Sequence, residues 1–302
     1  MAVGNGKKRT QAVLPFVRQS LSKLLSTVRM FRSRSPVAAF WGVVCLLLIL
    51  MALGANIVAP DDPIIPDFTK MHAEPDSGSW FGTDDIGRDV FSRVIHGARV
   101  TLFVALTSVL IGTTIGAVWG LTSGYLGGKL ELISERLVEI IMAMPGLILA
   151  FVLVLVLGAS VWTIIIAIAV TRVPFGVRVI RSVVLSVKQT AYVDSARAIG
   201  ASPIRVMARH IAPQCVAPYI VLATVHLGTA IVIEASLSFL GLGVRPPTAT
   251  WGGMLGEASG LLRPNWWMVV FPGVAITIAV LAFNLFGDGI RDALDPRLRG
   301  TR

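Results

Sequence analysis

The sequence predicts an all-α, polytopic membrane protein with six transmembrane helices and both termini in the cytoplasm, and three observations carry that expectation. Of 302 residues, 54% are hydrophobic and only 15% charged, with a mean hydropathy of +0.76, too apolar for a water-soluble domain. The apolar residues gather in stretches of about 20, the length that crosses a hydrocarbon core of about 30 Å. Between those stretches the dominant charge alternates in sign, and excess Lys and Arg marks the cytoplasmic side. A net charge of +10 in a soluble chain points to nucleic acid, but here its distribution matters more than its size. Cys45 lies in an apolar stretch and Cys215 beside a basic loop; thiols so placed are expected to be buried packing groups, not a disulfide or metal framework.

Residues 1–36 carry Lys7, Lys8, Arg9, Arg18, Lys23, Arg29, Arg32 and Arg34 and no acid, which makes them a cytoplasmic tail. Within it Leu14, Val17, Leu21, Leu24 and Leu25, with Arg18 and Lys23 between them, suit either an amphipathic membrane-surface helix or a frayed tail. The run 37–59 is the first span, too long and too late for a signal-peptide core. Residues 60–98 are expected outside, because Asp61, Asp62, Asp67, Glu74, Asp76, Asp84, Asp85 and Asp89 outnumber Lys70, Arg88 and Arg93. There Thr83 is expected to cap a turn whose amides face Asp84 and Asp85, with Gly87 and Gly97 allowing tight turns.

The second span, 99–122, has Gly112, Gly116 and Gly120 at i, i+4, i+8, a spacing that lets another helix approach closely. After a turn over 123–135, the third span, 138–157, holds Pro145, which is expected to kink it and free a backbone carbonyl in mid-bilayer. Residues 158–160 leave room only for a hairpin turn into the fourth span, 161–180. Arg172, Arg178, Arg181, Lys188, Arg197, Arg205 and Arg209 then gather with Asp194 as the one acid before Pro213, which places the loop 188–215 in the cytoplasm. The fifth span is 219–240. An outer loop, 241–265, and the start of the sixth span, 266–286, bring Trp251, Trp266 and Trp267, expected in a surface-lying segment because Trp favours the membrane interface. Gly287 and Gly289 are expected to end the last helix, and Arg291, Arg297 and Arg299 to hold the tail, 289–302, inside. A topology reporter fused after Asp76 should therefore be outside and one after Gln189 inside; finding both on one side would end the six-span topology.

The basic loop has more internal structure than a connector needs. Residues 192–199 have helix-forming composition and meet Gly200, which can take the left-handed conformation that closes a helix. Ser202 suits an N-cap and Pro203 a first helical position. Ile204, Met207, Ala208 and Ile211 then fall at i, i+3, i+4, i+7, with Arg205 and Arg209 opposite, and Pro213 is expected to end this second helix. Ala196, Gly200 and Val206 are spaced compatibly with a helix-turn-helix DNA reader. Such a reader belongs in a soluble domain, whereas this unit lies between two spans, so no nucleic-acid partner is expected.

At these residues the chain resembles the inner-membrane permease subunits of ATP-binding-cassette importers, whose loop carries Glu-Ala-Ala, three residues, Gly, and about a dozen residues later a Pro. Here the pattern reads Asp194, Ser195, Ala196, Gly200 and Pro213, with a shorter acid, Ser for the first Ala, and His210 and Ala212 where an apolar pair is usual. Three further stretches resemble the dipeptide, oligopeptide and nickel branch of that family, its dipeptide C-type subunits above all: WFGTDDIGRDVFSRVIHGARVTL over 80–102, IEASLSFLGLGVRPPTATWG over 233–252 and FNLFGDGIRDALDPRLRG over 283–300. The resemblance runs from about Val37 to Gly300. It implies a type I importer permease fold and half of a translocation pathway for dipeptides or oligopeptides, with glutathione, nickel, haem or sugars as other cargoes. It also implies a homologous second permease, two ATPase subunits that hold ATP and Mg, and an extracytoplasmic binding protein resting on the outer rim, in the bacterial inner membrane. The ATPase-coupling loop it implies comprises Asp194, Ser195, Ala196, Gly200, Ala201, Ser202, Pro203 and Pro213. The chain has no phosphate-binding loop of its own, so no bound cofactor and no enzymatic activity are expected of it.

The other classes rest on less. Glu139, Arg172, Glu234 and Asn284 lie in or near spans, where ionisable groups often mark a pathway, and a proton-coupled carrier would use Glu139 and Glu234. Against it, Glu139 is near a cytoplasmic end and Glu234 near an outer end, each within reach of the interface or an Arg, and no inverted repeat is evident. His72, His96, His210 and His226 are scattered over different segments, which argues against a shared metal site. Ser236 and Ser238 near Glu234 lack a base and an orienting group, and are expected to cap or pack between helices.

Overall fold

The computed structural model describes residues 35–261 and 265–294. The stretch from Leu14 to Leu25 and the distal Arg297 and Arg299 lie outside the described residues. The long helices are α1 Pro36–Leu53, α2 Val90–Leu126, α3 Gly128–Met142, α4 Gly146–Leu157 and α5 Val161–Val187. In the basic loop come α6 Ala191–Ala198 and α7 Pro203–Val206, followed by a π turn, Met207–Ile211, that runs into α8 Ala212–Phe239. An outer helix, α9 Trp251–Ser259, precedes α10 Trp266–Leu294. Among the described residues there is no β-strand, only an isolated bridge between Thr83 and Asp89.

Helices α1, α2, α5, the continuous Pro203–Phe239 and α10 are each long and apolar enough to span, and the bent pair α3 and α4 passes the same test of length and composition when taken together. The pair differs from the expected span over 138–157 with a kink: the two helices meet at 86°. Pro145 takes an extended conformation as the N-cap of α4. A proline also pushes the residue before it out of the helical region, here Met144, so the chain turns a corner instead of bending.

Other boundaries moved for identifiable reasons. α2 begins at Val90 rather than at 99, because Asp89 caps it by accepting the Ser92 amide at 2.7 Å and the polar first turns are held by an outer layer of protein. Gly97 is thus helical, bedded under Trp251, and makes no turn. Pro213 does not end a helix: it lies in the first turn of α8, and the Ala212 amide reaches five residues back to the Met207 carbonyl. That wider register accommodates a ring that lacks an N–H and crowds the i−4 carbonyl. Gly287 and Gly289 likewise do not stop α10. Gly287 packs on Thr224, and Gly228 of α8 packs on Asn284, so these glycines set how closely α8 and α10 approach.

The centre of the bundle is the crossing of α2 and α5. A Cβ on Gly112, Gly116 or Gly120 would overlap the carbonyl oxygens of Ala169, Val173 and Val177 respectively, as the small-residue spacing predicts. The tryptophans correct the surface-lying expectation. Trp251 is fully buried and donates its indole N–H to the Val94 carbonyl at 2.9 Å. Trp267 is buried too and donates to the Thr83 carbonyl at 3.0 Å. Of these three, Trp266 alone is exposed. With both indole protons satisfied by backbone, these rings close the outer layer over α2.

Candidate functional site

The basic loop folds as a corner between two short helices. Val193 of α6 is buried in a cluster with Ile180, Val184, Val206, Ile211 and Cys215, and Ala196 is buried as well. Gly200 takes a φ of +83°, its amide donates to Arg197 at 2.9 Å and the Ala201 amide to Ala196 at 3.1 Å, the paired bonds of a Schellman closure. Ser202 occupies the N-cap position of α7 in an extended conformation and Pro203 follows as first helical residue, but the Ser202 hydroxyl makes no capping bond. The predicted apolar face is packed only in part, through the buried Ile211 and the half-buried Met207, and Val206 from outside it is buried too. Ile204 and Ala208 are exposed, while Val206 and Ile211 are buried, because the π turn brings residues five apart onto one side. Lys188 donates to the Gly124 carbonyl at 2.9 Å, and the Arg197 guanidinium lies 5.5 Å from the Tyr125 ring centre; both tie the loop to the end of α2. Asp194 is exposed and pairs with Arg197 at 3.4 Å, and the exposed Ser195 donates to the Ala191 carbonyl at 2.8 Å. Two large apolar side chains face outward beside this corner, Ile199 at 86% and Ile204 at 74% exposure.

In the loop before α2, Asp84 rather than Thr83 organises the turn, accepting the Ile86 and Arg88 amides at 3.1 and 2.9 Å and the Arg88 Nε at 2.6 Å. Thr83 instead accepts the Ala73 amide at 2.8 Å and donates to the Lys70 carbonyl, pinning the loop from above. Gly87 makes its turn at a φ of +83° as expected. Glu257 of α9 receives Arg88 at 3.0 Å and the buried Arg93 at 2.7 Å, a brace across 164 residues of sequence that no spacing could announce.

Between α3, α4, α5 and α8 lies a hollow of about 530 Å³ lined by Met142, Pro145, Thr171, Arg172, Phe175 and Thr229 among others. Arg172 therefore does not belong with the cytoplasmic bases of the loop. It lies within α5, buried, its Nε donating to the Thr171 hydroxyl and its Nη1 to the Thr229 hydroxyl, both at 3.1 Å. Glu234 reaches neither interface nor Arg: it is fully buried, and Ser238 donates to it at 2.8 Å. Glu139, half exposed, does find its Arg, pairing with Arg136 at 2.9 Å. Among the described residues no group of three or more His, Cys, Asp or Glu could hold a metal ion.

A family model described as the binding-protein-dependent transport system inner membrane component matches residues 112–300. The chain belongs to this family. It is 40% identical over 298 residues to the glutathione transport system permease protein GsiD of Escherichia coli O1:K1, covering 94% of this chain and 98% of that one. To the probable D,D-dipeptide transport system permease protein DdpC of Escherichia coli K12 it is 40% identical over 268 residues, covering 89% and 90%. Its fold matches a chain of the inward-facing MetNI methionine ABC transporter with a TM-score of 0.56 at 22% identity, over 68% of this chain and 97% of that one.

The protein is thus a permease subunit of an ABC importer, a multi-pass protein of the bacterial inner membrane. That membership decides against the ion-coupled carrier. In this permease Glu139 and Glu234 lie on different helices with separate partners, one exposed and one enclosed. The sequence reading missed Glu257 altogether and counted Arg172 twice, among the loop bases and among the ionisable groups in or near spans. Position could have corrected the second, since residue 172 falls well inside the stretch 161–180.

Proposed function

We propose that this permease forms half of the translocation pathway for dipeptides or other short peptides. A homologous, non-identical permease supplies the other half, two separate ATPase subunits bind ATP and Mg beneath the cytoplasmic loop, and an extracytoplasmic binding protein delivers cargo to the outer rim. The observation that carries the coupling role is the loop corner at Gly200. Its inner face is packed against the spans through Val193, Val206 and Ile211, while Ile199 and Ile204 are exposed, and exposed apolar side chains gain by docking on another surface. Asp194, Ser195, Ala196, Gly200, Ala201, Ser202 and Pro203 build that projection, and Pro213 lies above it at the root of α8.

The cargo class is supported by relatives named for glutathione and a D,D-dipeptide, and by a hollow of about 530 Å³, within the range of about 300–1,000 Å³ usual for small-molecule sites. Closure of the ATPases on ATP would draw the two loops together and rock the spans around that hollow, giving alternating access. The test is uptake of a labelled dipeptide by the complete importer. Uptake should persist when the proton gradient is collapsed at constant ATP and stop when ATP is depleted; the reverse would sink the assignment of ATPase partners.

A further inference from the structure

We infer that Arg172 is the group within the membrane that receives the carboxylate of the cargo, an inference that rests on the peptide reading above. Arg172 follows Val161 by eleven positions on α5, about 17 Å along a helix axis and therefore near the middle of a hydrocarbon core of about 30 Å. A cation at that depth is costly and is retained where it faces a pathway or a counter-charge. Every ion pair of the described residues uses other side chains, so no counter-charge comes from the described part of this chain. The guanidinium is nonetheless held in one orientation. The Thr171 hydroxyl spends its proton on the Ile168 carbonyl at 2.7 Å and the Thr229 hydroxyl on the His226 carbonyl at 3.0 Å, so each offers Arg172 only a lone pair. Two of the five N–H donors of a guanidinium are used in this way, and Phe175 lies 5.9 Å off.

Three donors remain on a fork held at the wall of a hollow that is otherwise apolar apart from the two threonines. That fork matches a carboxylate, which it takes by two parallel hydrogen bonds. Every peptide with a free C-terminus carries that group, whatever its side chains, so the arrangement suits a pathway that moves many sequences. The threonines supply no competing negative charge, and a carboxylate held by one cation is free to leave once the hollow opens to water.

The test uses the complete importer in proteoliposomes, with dialanine and dialanine amide compared at equal occupancy of the binding protein. Wild type is expected to transport dialanine at least about tenfold faster than the amide, the loss of a charge-assisted bidentate pair being of that order. Arg172→Gln is expected to remove that preference by slowing dialanine about tenfold while changing the amide less than twofold. Arg172→Lys, which keeps charge but not the fork, should retain an intermediate preference, and it reads the same ratio if the Gln variant fails to assemble. Equal slowing of both peptides in both variants would show an ion pair with the second permease, and unchanged transport a neutral role; either overturns the inference and leaves the peptide reading standing. Wild-type importer that moves neither peptide would overturn both.

Discussion

Gly200→Val is expected to leave the permease in the membrane at wild-type level and to cut transport at least about tenfold. At a φ of +83° a β-branched residue is strained by about 1–3 kcal/mol, and 1.4 kcal/mol corresponds to a factor of ten. A Cβ at this position meets no atom within 4 Å, so no packing is lost and the whole effect is on the backbone. Relieving the strain opens the bonds from Gly200 to Arg197 and from Ala201 to Ala196. The angle between α6 and α7 then changes, and with it the spacing of Ile199 and Ile204. Immunoblotting of membranes, peptide uptake and co-purification of the ATPase subunits measure the three consequences. Gly200→Asn should transport, because Asn tolerates the left-handed region, and Ala196→Asp should fail with Gly200→Val, because it places a charge on a packed face. Normal transport by Gly200→Val at normal level would defeat the coupling role.

Gly116→Val has the larger structural effect: little or no permease should be recovered from the membrane. The added atoms run into the Val173 carbonyl and into Gly176, both backbone, on the helix that packs most closely against α2. Backbone cannot rotate away as a side chain can, so α2 and α5 must separate, and the contacts along the whole crossing loosen together. Gly273→Ala on α10 is the control, since nothing lies within 4 Å of its Cβ and Ala favours the helix by about 1 kcal/mol. Recovery of Gly116→Val at the level of Gly273→Ala would show that the close crossing is dispensable.

Features governed by local chemistry were legible in the sequence. The candidate spans follow from apolar length, the α2–α5 crossing from three glycines one helical turn apart, and the corner at Gly200 from a residue that takes a positive φ without strain. The misreadings share a different physics. Pro145 was read as a kink and makes an 86° corner, and Pro213 was read as a terminator yet begins α8. How far a proline disrupts a helix depends on which neighbours can absorb the lost hydrogen bond, and those come from tertiary packing. Trp251 and Trp267 were assigned to the interface on general preference, but carbonyls of Val94 and Thr83 far away in sequence decide their burial. Arg88 and Arg93 could be listed as charges, but their partner Glu257 is a matter of topology.

The π turn at Met207–Ile211 has a mechanical meaning. It lets Pro203–Phe239 run as one unbroken helix of 37 residues, about 55 Å from end to end. Motion of its loop end is passed along one continuous backbone, with the π turn, Pro213 and Pro218 as the places where it can flex. A tilt of about 5° about one end sweeps the other through about 5 Å by that length. The helix therefore acts as a lever that carries Thr229, one of the two hydroxyls that hold Arg172. Displacing the tip displaces an anchor of the buried cation in the same stroke.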